Sequence, residues 1–287
     1  MYPAGEPGVS VRYVTLHDGM VIRVIESGPA TGEVVLLVHG WGGLVYSYAE
    51  TIPALANAGY RAIALDLPGH GLSDKPLDAS KYTTRALNDV ILGVADAMNV
   101  RRFTFVGHSM GGALGLDLAT RGDQRLTRLV LINPAGMGAV PIMAPLKLLS
   151  PPIVNRVVPM LLGRAVISAV LHAAFATPRR PTEQDIDEYW APTQFDEFAW
   201  SCRACLHKVT WRRVPATKLR SLRMPVLVFV SGHDRILRGV AKRAKLIPTA
   251  RIVPIPEGGH LVMQECDAKT NAQLLVFLRE TRRAPNS

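Results

Sequence analysis

Two five-residue runs, VVLLV at Val34–Val38 and VLVFV at Val226–Val230, carry no polar side chain at either set of alternating strand positions. A half-exposed sheet alternates apolar with polar residues. Strands that are apolar throughout belong in a sheet covered on both faces, which in practice means a mostly parallel sheet wound with helices. This one constraint removes sandwiches, meanders and helical bundles before any other residue is considered.

The rest of the chain supplies the helices that such a sheet needs. Val9–Leu16 and Met20–Glu26 read as an opening antiparallel hairpin with its turn at Asp18-Gly19. After Val34–Val38, Ser47 with Glu50 three residues on reads as a capping box that starts a helix, and Gly59 closes it. Tyr60–Leu65 is the next expected strand. A helix is expected from about Thr83 to Met98, with Leu87, Val90, Ile91 and Val94 on one apolar stripe. Strand Phe103–Val106, a helix after Ser109, and strand Leu129–Ile132 continue the alternation. It breaks at Asn133-Pro134 and resumes with strand Val226–Val230, a basic helix, strand Arg251–Ile255 and a last helix from about Asp267 to Arg279. The expected class is therefore α/β with a doubly wound, mostly parallel sheet. Residues 1–134 and 223–287 would form the core domain, and 135–222 an inserted helical cap.

Composition closes off other classes. Hydrophobic residues make up 48% of the 287 and charged residues 20%, which is globular rather than disordered. No basic n-region followed by an apolar h-region opens the chain, and cytoplasmic residence is the expectation. Val157–Ala176 is greasy, but Pro159, Gly163 and Arg164 argue against a transmembrane span and for a lid. Three cysteines cannot build a disulfide framework, and the lone Cys202-x-x-Cys205 pair lacks the second pair that a zinc site needs, so no metal is expected. The net charge of +10 is concentrated in Arg203–Arg251, where Asp234 is the sole acid. Aromatic residues are not interleaved there as nucleic-acid readers require, so no nucleic-acid partner is expected.

Chemistry is concentrated at FVGHSMGGA, Phe105–Ala113. A strand that turns sharply into a helix strains the residue at its apex, and neighbouring chain passes so close that the flanking positions must be glycine, here Gly107 and Gly111. Ser109 is thereby held above the carboxyl end of the sheet, before a helix N-terminus. A serine hydroxyl needs a base, and an imidazole base needs a carboxylate. His260 in EGGHLVMQE follows the last expected strand, and Asp234 in VFVSGHDRI follows the strand before it, giving the chain order Ser109, Asp234, His260. Asp66, in DLPGHGLSD, reads as a turn stabiliser, while His39, His70 and His108 read as residues that hold loops together. For an oxyanion the donors would be the backbone N–H groups of Met110 and Trp41, the latter in HGWGG. Trp41 also reads as a pocket wall, and His108 lies close enough in sequence to Ser109 to be counted with it as substrate-binding.

The motifs HGWGG, DLPGHGLSD, GHSMGG, SGHD and GGH, in that order across Val34–His260, together resemble the α/β-hydrolase superfamily. The resemblance implies an α/β-hydrolase fold with an inserted helical cap, a cofactor-free mechanism, and a small-molecule substrate. Serine rather than aspartate at the elbow points away from epoxide hydrolases and haloalkane dehalogenases. Leu261, where meta-cleavage product hydrolases usually carry tryptophan after the histidine, weakens the carbon–carbon reading. The expectation is a serine carboxylesterase that cleaves esters with apolar acyl or aromatic groups through an acyl-enzyme on Ser109. A carbon–carbon bond hydrolase and a non-catalytic small-molecule receptor that retains the triad stay open beside it. Val140, Ile142, Met143, Leu146, Leu148, Ile153, Val157 and Met160–Leu162 would line or pack over the pocket, most of them as ordinary core.

Overall fold

A computed structural model describes residues 1–152, 163–176 and 180–281. Its strands are β1 (Val9–Thr15), β2 (Val21–Ser27), β3 (Val34–Val38), β4 (Arg61–Leu65), β5 (Phe103–His108), β6 (Leu126–Ile132), β7 (Val226–Ser231) and β8 (Ala250–Ile255). They form one eight-stranded sheet in the order β1-β2-β4-β3-β5-β6-β7-β8. β1 pairs antiparallel with β2 and β2 with β4, and every pairing from β4 through to β8 is parallel. This is the α/β-hydrolase fold.

The apolar strands are double-sided for the reason inferred above. Along β3, Leu36 and Val38 point into one core while Val35 and Leu37 point into the other. The first core is closed by α2 (Thr84–Ala97) and α3 (Met110–Thr120), which contribute Leu87, Ile91, Val94 and Leu114. The second is closed by α1 (Thr51–Asn57) and the last helix, Asp267–Glu280, through Ile52, Leu55, Leu274 and Phe277. Thr83 caps α2, its hydroxyl accepting from Ala86 N–H at 3.1 Å.

Between β6 and β7 the chain leaves the sheet. That insertion contains helices Met143–Leu148, Arg164–Ala174, Glu183–Trp190 and Phe198–Lys208. Among the described residues no helix is long and apolar enough to cross a membrane.

Two expectations are corrected, and a third is met over a short span. Ser47 does not start a helix: it lies in a 3-10 turn, Val45–Tyr48, and α1 begins at Thr51 with no side-chain cap. Its hydroxyl is instead hydrogen-bonded to Tyr189 Oη of the insertion at 2.9 Å, a long-range partner that outcompetes the local one. The basic helix expected after β7 is present as the five residues Val240–Ala244. In the insertion, Met143 is buried and Val140 packs on the core, but Ile142 is 48% and Leu148 84% exposed, so these two are not ordinary core. Ile153, Val157 and Met160–Leu162 lie outside the described residues.

Phe105 is fully buried in the centre of β5 and lies against Gly115, where an added Cβ would come within 2.7 Å of its ring. Phe105→Ala would leave a void that α3 cannot fill, and should lower stability by roughly 3–5 kcal/mol, read as a shifted urea midpoint at unchanged slope.

Candidate active site

Ser109 stands at the β5–α3 junction with φ 49° and ψ −110°, a left-handed backbone that a serine adopts only under constraint. The constraint is visible on every side. A Cβ on Gly107 would lie 2.4 Å from Gly111 O, and one on Gly111 would lie 2.2 Å from Val38 O. Ser109 N–H donates to Ile132 O at 3.0 Å, and Ser109 O accepts from Ala135 N–H at 2.9 Å. Neighbouring strands thus hold the apex by its own peptide groups.

Asp234 and His260 lie on the loops after β7 and β8, at the same edge of the sheet. His260 Nδ1 is 2.9 Å from Asp234 Oδ2, with both side chains under 10% exposed. The other Asp234 oxygen, Oδ1, accepts from the N–H groups of Ile236 (2.8 Å) and Leu237 (3.0 Å), so the carboxyl group is held in one orientation. Those two loops are joined directly, since His233 N–H donates to Gly258 O at 3.0 Å. Among the described residues no hydrogen bond joins Ser109 Oγ to His260. In unliganded enzymes such contacts often tighten only when substrate arrives.

Two groups that sequence reasoning passed over shape this arrangement. Asn133, with φ 41°, donates through Nδ2 to Ser231 Oγ, Gly259 O and His260 O at 2.8, 3.1 and 3.1 Å, and its Oδ1 accepts from Ser231 N–H. It therefore ties the end of β6 to both neighbouring loops. Glu265 is 5% exposed, and its Oε2 accepts from Gly259 N–H at 3.0 Å and from Ala176 N–H at 2.6 Å. His260 N–H donates to Ala174 O at 2.9 Å. The histidine loop is in this way stitched to the end of helix Arg164–Ala174. Burial holds the Glu265 carboxyl above its ordinary range. Its place five residues after His260 was the only sequence signal.

Three of the remaining histidines, His39, His70 and His108, fasten loops. His108 is 3% exposed and donates from Nε2 to His260 O at 2.9 Å, with burial keeping it neutral. That geometry favours fastening over substrate contact. His39 uses both ring nitrogens, Nδ1 donating to Gly40 O at 2.7 Å and Nε2 accepting from Leu67 N–H at 2.9 Å. Asp66 stabilises its turn, with Oδ1 accepting from Val45 N–H, Oδ2 from Leu72 N–H, and the buried Arg23 beside it at 3.2 Å.

Met110 opens α3, where its N–H has no intrahelical acceptor and forms part of the positive end of the helix dipole. Trp41 lies in the HGWGG loop, where a Cβ on Gly40 would come within 3.0 Å of Ser109 Cβ. Its indole Nε1 donates to Cys202 O of the insertion at 2.9 Å, which ties the HGWGG loop to the helix Phe198–Lys208. Cys202 and Cys205 are free thiols that burial keeps protonated, Cys202 being pushed up to about 12.

Comparison with known proteins agrees with this architecture. A family profile described as "alpha/beta hydrolase fold" matches residues 33–159. The dihydrolipoyllysine-residue acetyltransferase component of the acetoin cleaving system of Pseudomonas putida is 31% identical over 264 residues, covering 91% of this chain and 68% of that one. The AB hydrolase superfamily protein YfhM of Bacillus subtilis (strain 168) is 28% identical, covering 95% and 99%. Among solved structures, a membrane phospholipase A described as a bacterial virulence factor superposes with a TM-score of 0.81 at 25% identity, covering 96% of this chain and 88% of that one. The chain belongs to the α/β-hydrolase superfamily.

Burial depresses the His39 imidazole to about 4, and protonating Nε2 would also break its bond to Leu67 N–H. Below about 6.5 the unfolded chain takes up a proton that the folded chain refuses. Stability should therefore be full above pH 6.5 and fall towards pH 4, by on the order of 3 kcal/mol for this group. Denaturant unfolding across that range, with His39→Gln flattening part of the slope, checks it.

Proposed function

We propose that this hydrolase is a serine carboxylesterase acting on esters with apolar acyl or aromatic groups. The observation that carries the reading is the 2.9 Å His260–Asp234 bond, with the second carboxylate oxygen fixed by two backbone N–H groups, beside a strained serine at a strand-to-helix elbow. In this reading His260 Nε2 takes the Ser109 proton as Oγ attacks the ester carbonyl. Asp234 holds the ring in the Nδ1–H tautomer and stabilises the imidazolium. The N–H groups of Met110 and Trp41 bind the oxyanion. Collapse expels the alcohol, which receives its proton from His260, and water activated by the same imidazole releases the acid from Ser109.

The insertion between β6 and β7 acts as the cap, and Trp41 is one wall of the substrate pocket beneath it. The likeness to a phospholipase A supports an ester substrate with an apolar chain. Asparagine-like amides cannot substitute for Asp234, because only a carboxylate both orients and charges the ring. No cofactor enters this chemistry.

The test is hydrolysis of p-nitrophenyl esters from acetate to palmitate, with fluorophosphonate labelling mapped to a peptide. Turnover with label on Ser109 supports the reading, and Ser109→Ala should lower kcat by on the order of a millionfold. Substantial esterase activity in the pure variant would sink it. Glu265→Ala should release the His260 loop from the cap and lower kcat by on the order of ten- to a hundredfold with a smaller change in KM. An unaltered kcat would show that the loop holds its place without this carboxylate.

A further inference from the structure

A cavity of about 550 Å³ opens away from Ser109, between the α2 N-terminus, the outer face of α3 and the Lys208–Lys218 stretch of the insertion. Six cationic side chains line it: Arg85 and Arg121 on one wall, Lys208, Arg212, Arg213 and Lys218 on the other. A single carboxylate, Asp117, faces them, and it is already taken by Arg121 at 3.1 Å and Asn88 Nδ2 at 2.9 Å. Among the described residues Lys208, Arg212, Arg213 and Lys218 form no ion pair. Such a concentration of unpaired positive charge around a concave surface focuses the field and raises the local concentration of anions.

The lining narrows the kind of anion. Arg85 and Arg121 come from the core helices and Lys208, Arg212, Arg213 and Lys218 from the insertion, so a ligand with more than one charged group could engage both sets at once. Arginine presents a planar fork matched to phosphoryl oxygens. Thr210 adds a neutral hydroxyl to the lining, while Ala113, Val214 and Pro215 supply an apolar strip. No aromatic side chain lines the cavity, so it offers no stacking platform for nucleobases of a strand. The volume is that of a small-molecule site. Arg243, whose guanidinium donates to Val214 O, adds further positive charge behind the same wall. The lining residues of α3 begin at Ala113, roughly 6 Å along the helix from Ser109 at a rise of 1.5 Å per residue, and none of Ser109, Asp234, His260, Trp41 and Met110 lines the cavity.

We infer that this groove binds a small organic diphosphate or triphosphate, clamped between α3 and the basic stretch of the insertion. The inference does not rest on the esterase reading, since it uses none of the groups at Ser109.

The test is titration calorimetry on the full chain, with pyrophosphate as the bare charge and ADP as the organic probe. Saturable one-to-one binding in the micromolar range that weakens at high salt is expected, and inorganic phosphate should bind far more weakly. The paired substitution Arg212→Ala with Arg213→Ala should weaken binding by roughly ten- to a hundredfold while leaving ester hydrolysis unchanged. Lys218→Glu provides a second variant should the first lose its fold by circular dichroism. Ser109→Ala should bind like the parent, whatever becomes of esterase activity. No saturable heat up to millimolar probe, equal binding by the groove variants, or loss of binding on Ser109→Ala would each overturn the inference. Tighter binding of a single-stranded oligonucleotide than of either probe would make the groove a nucleic-acid surface instead.

Discussion

Everything at the reactive end of this molecule depends on how closely backbone passes backbone at the elbow. Gly107 and Gly111 allow β3, β5 and the first turn of α3 to meet at distances where a single methyl group would strike a carbonyl. Side chains can be repacked when a neighbour changes, but peptide groups in register cannot. The parallel pairing of β5 with β3 and β6 therefore dictates where Ser109 stands, and Asn133 at the end of β6 carries that reference on to the Asp234 and His260 loops. The whole constellation is measured from one sheet edge, and the scaffold's rigidity becomes the precision of the site.

Much of this was legible in the chain because the signals were local and steric. Fully apolar runs read as doubly covered strands, and Gly-x-Ser-x-Gly read as a tight turn, since both follow from what the backbone can do within a few residues. The boundaries moved only slightly, as where β5 extends to His108 rather than stopping at Val106. What could not be read was long-range competition. Ser47 has the spacing of a capping box, yet Tyr189, 142 residues away, claims its hydroxyl. Glu265 carried no signal beyond its place five residues after His260, and its role comes from accepting the distant Ala176 N–H as well as that of Gly259. Ile142 and Leu148 share the composition of core residues but face outward, because burial belongs to the arrangement of elements and not to the residue.

The buried polar groups divide into two kinds. His39, His70 and His108 are kept neutral by burial, and each makes a hydrogen bond that closes a loop. Arg23 and Asp66, by contrast, form an enclosed ion pair, with Asp66 further held by two backbone donors. A pair like this adds little net stability over an apolar substitute, but removing one partner strands the other. Such residues specify the loop shapes around HGWGG and DLPGHGLSD more than they strengthen the fold.

The stitching of the His260 loop to the insertion carries a consequence for how such a protein can be rebuilt. His260 N–H and Gly259 N–H are satisfied through Ala174 and Glu265, and Glu265 also satisfies Ala176. The two segments share their hydrogen-bond partners across about ninety residues of sequence. The insertion is thus not an interchangeable module that could be swapped for a relative's to alter specificity. A transplanted lid would have to present a carbonyl and an amide at the same two points, or the core would arrive with its histidine loop unmoored.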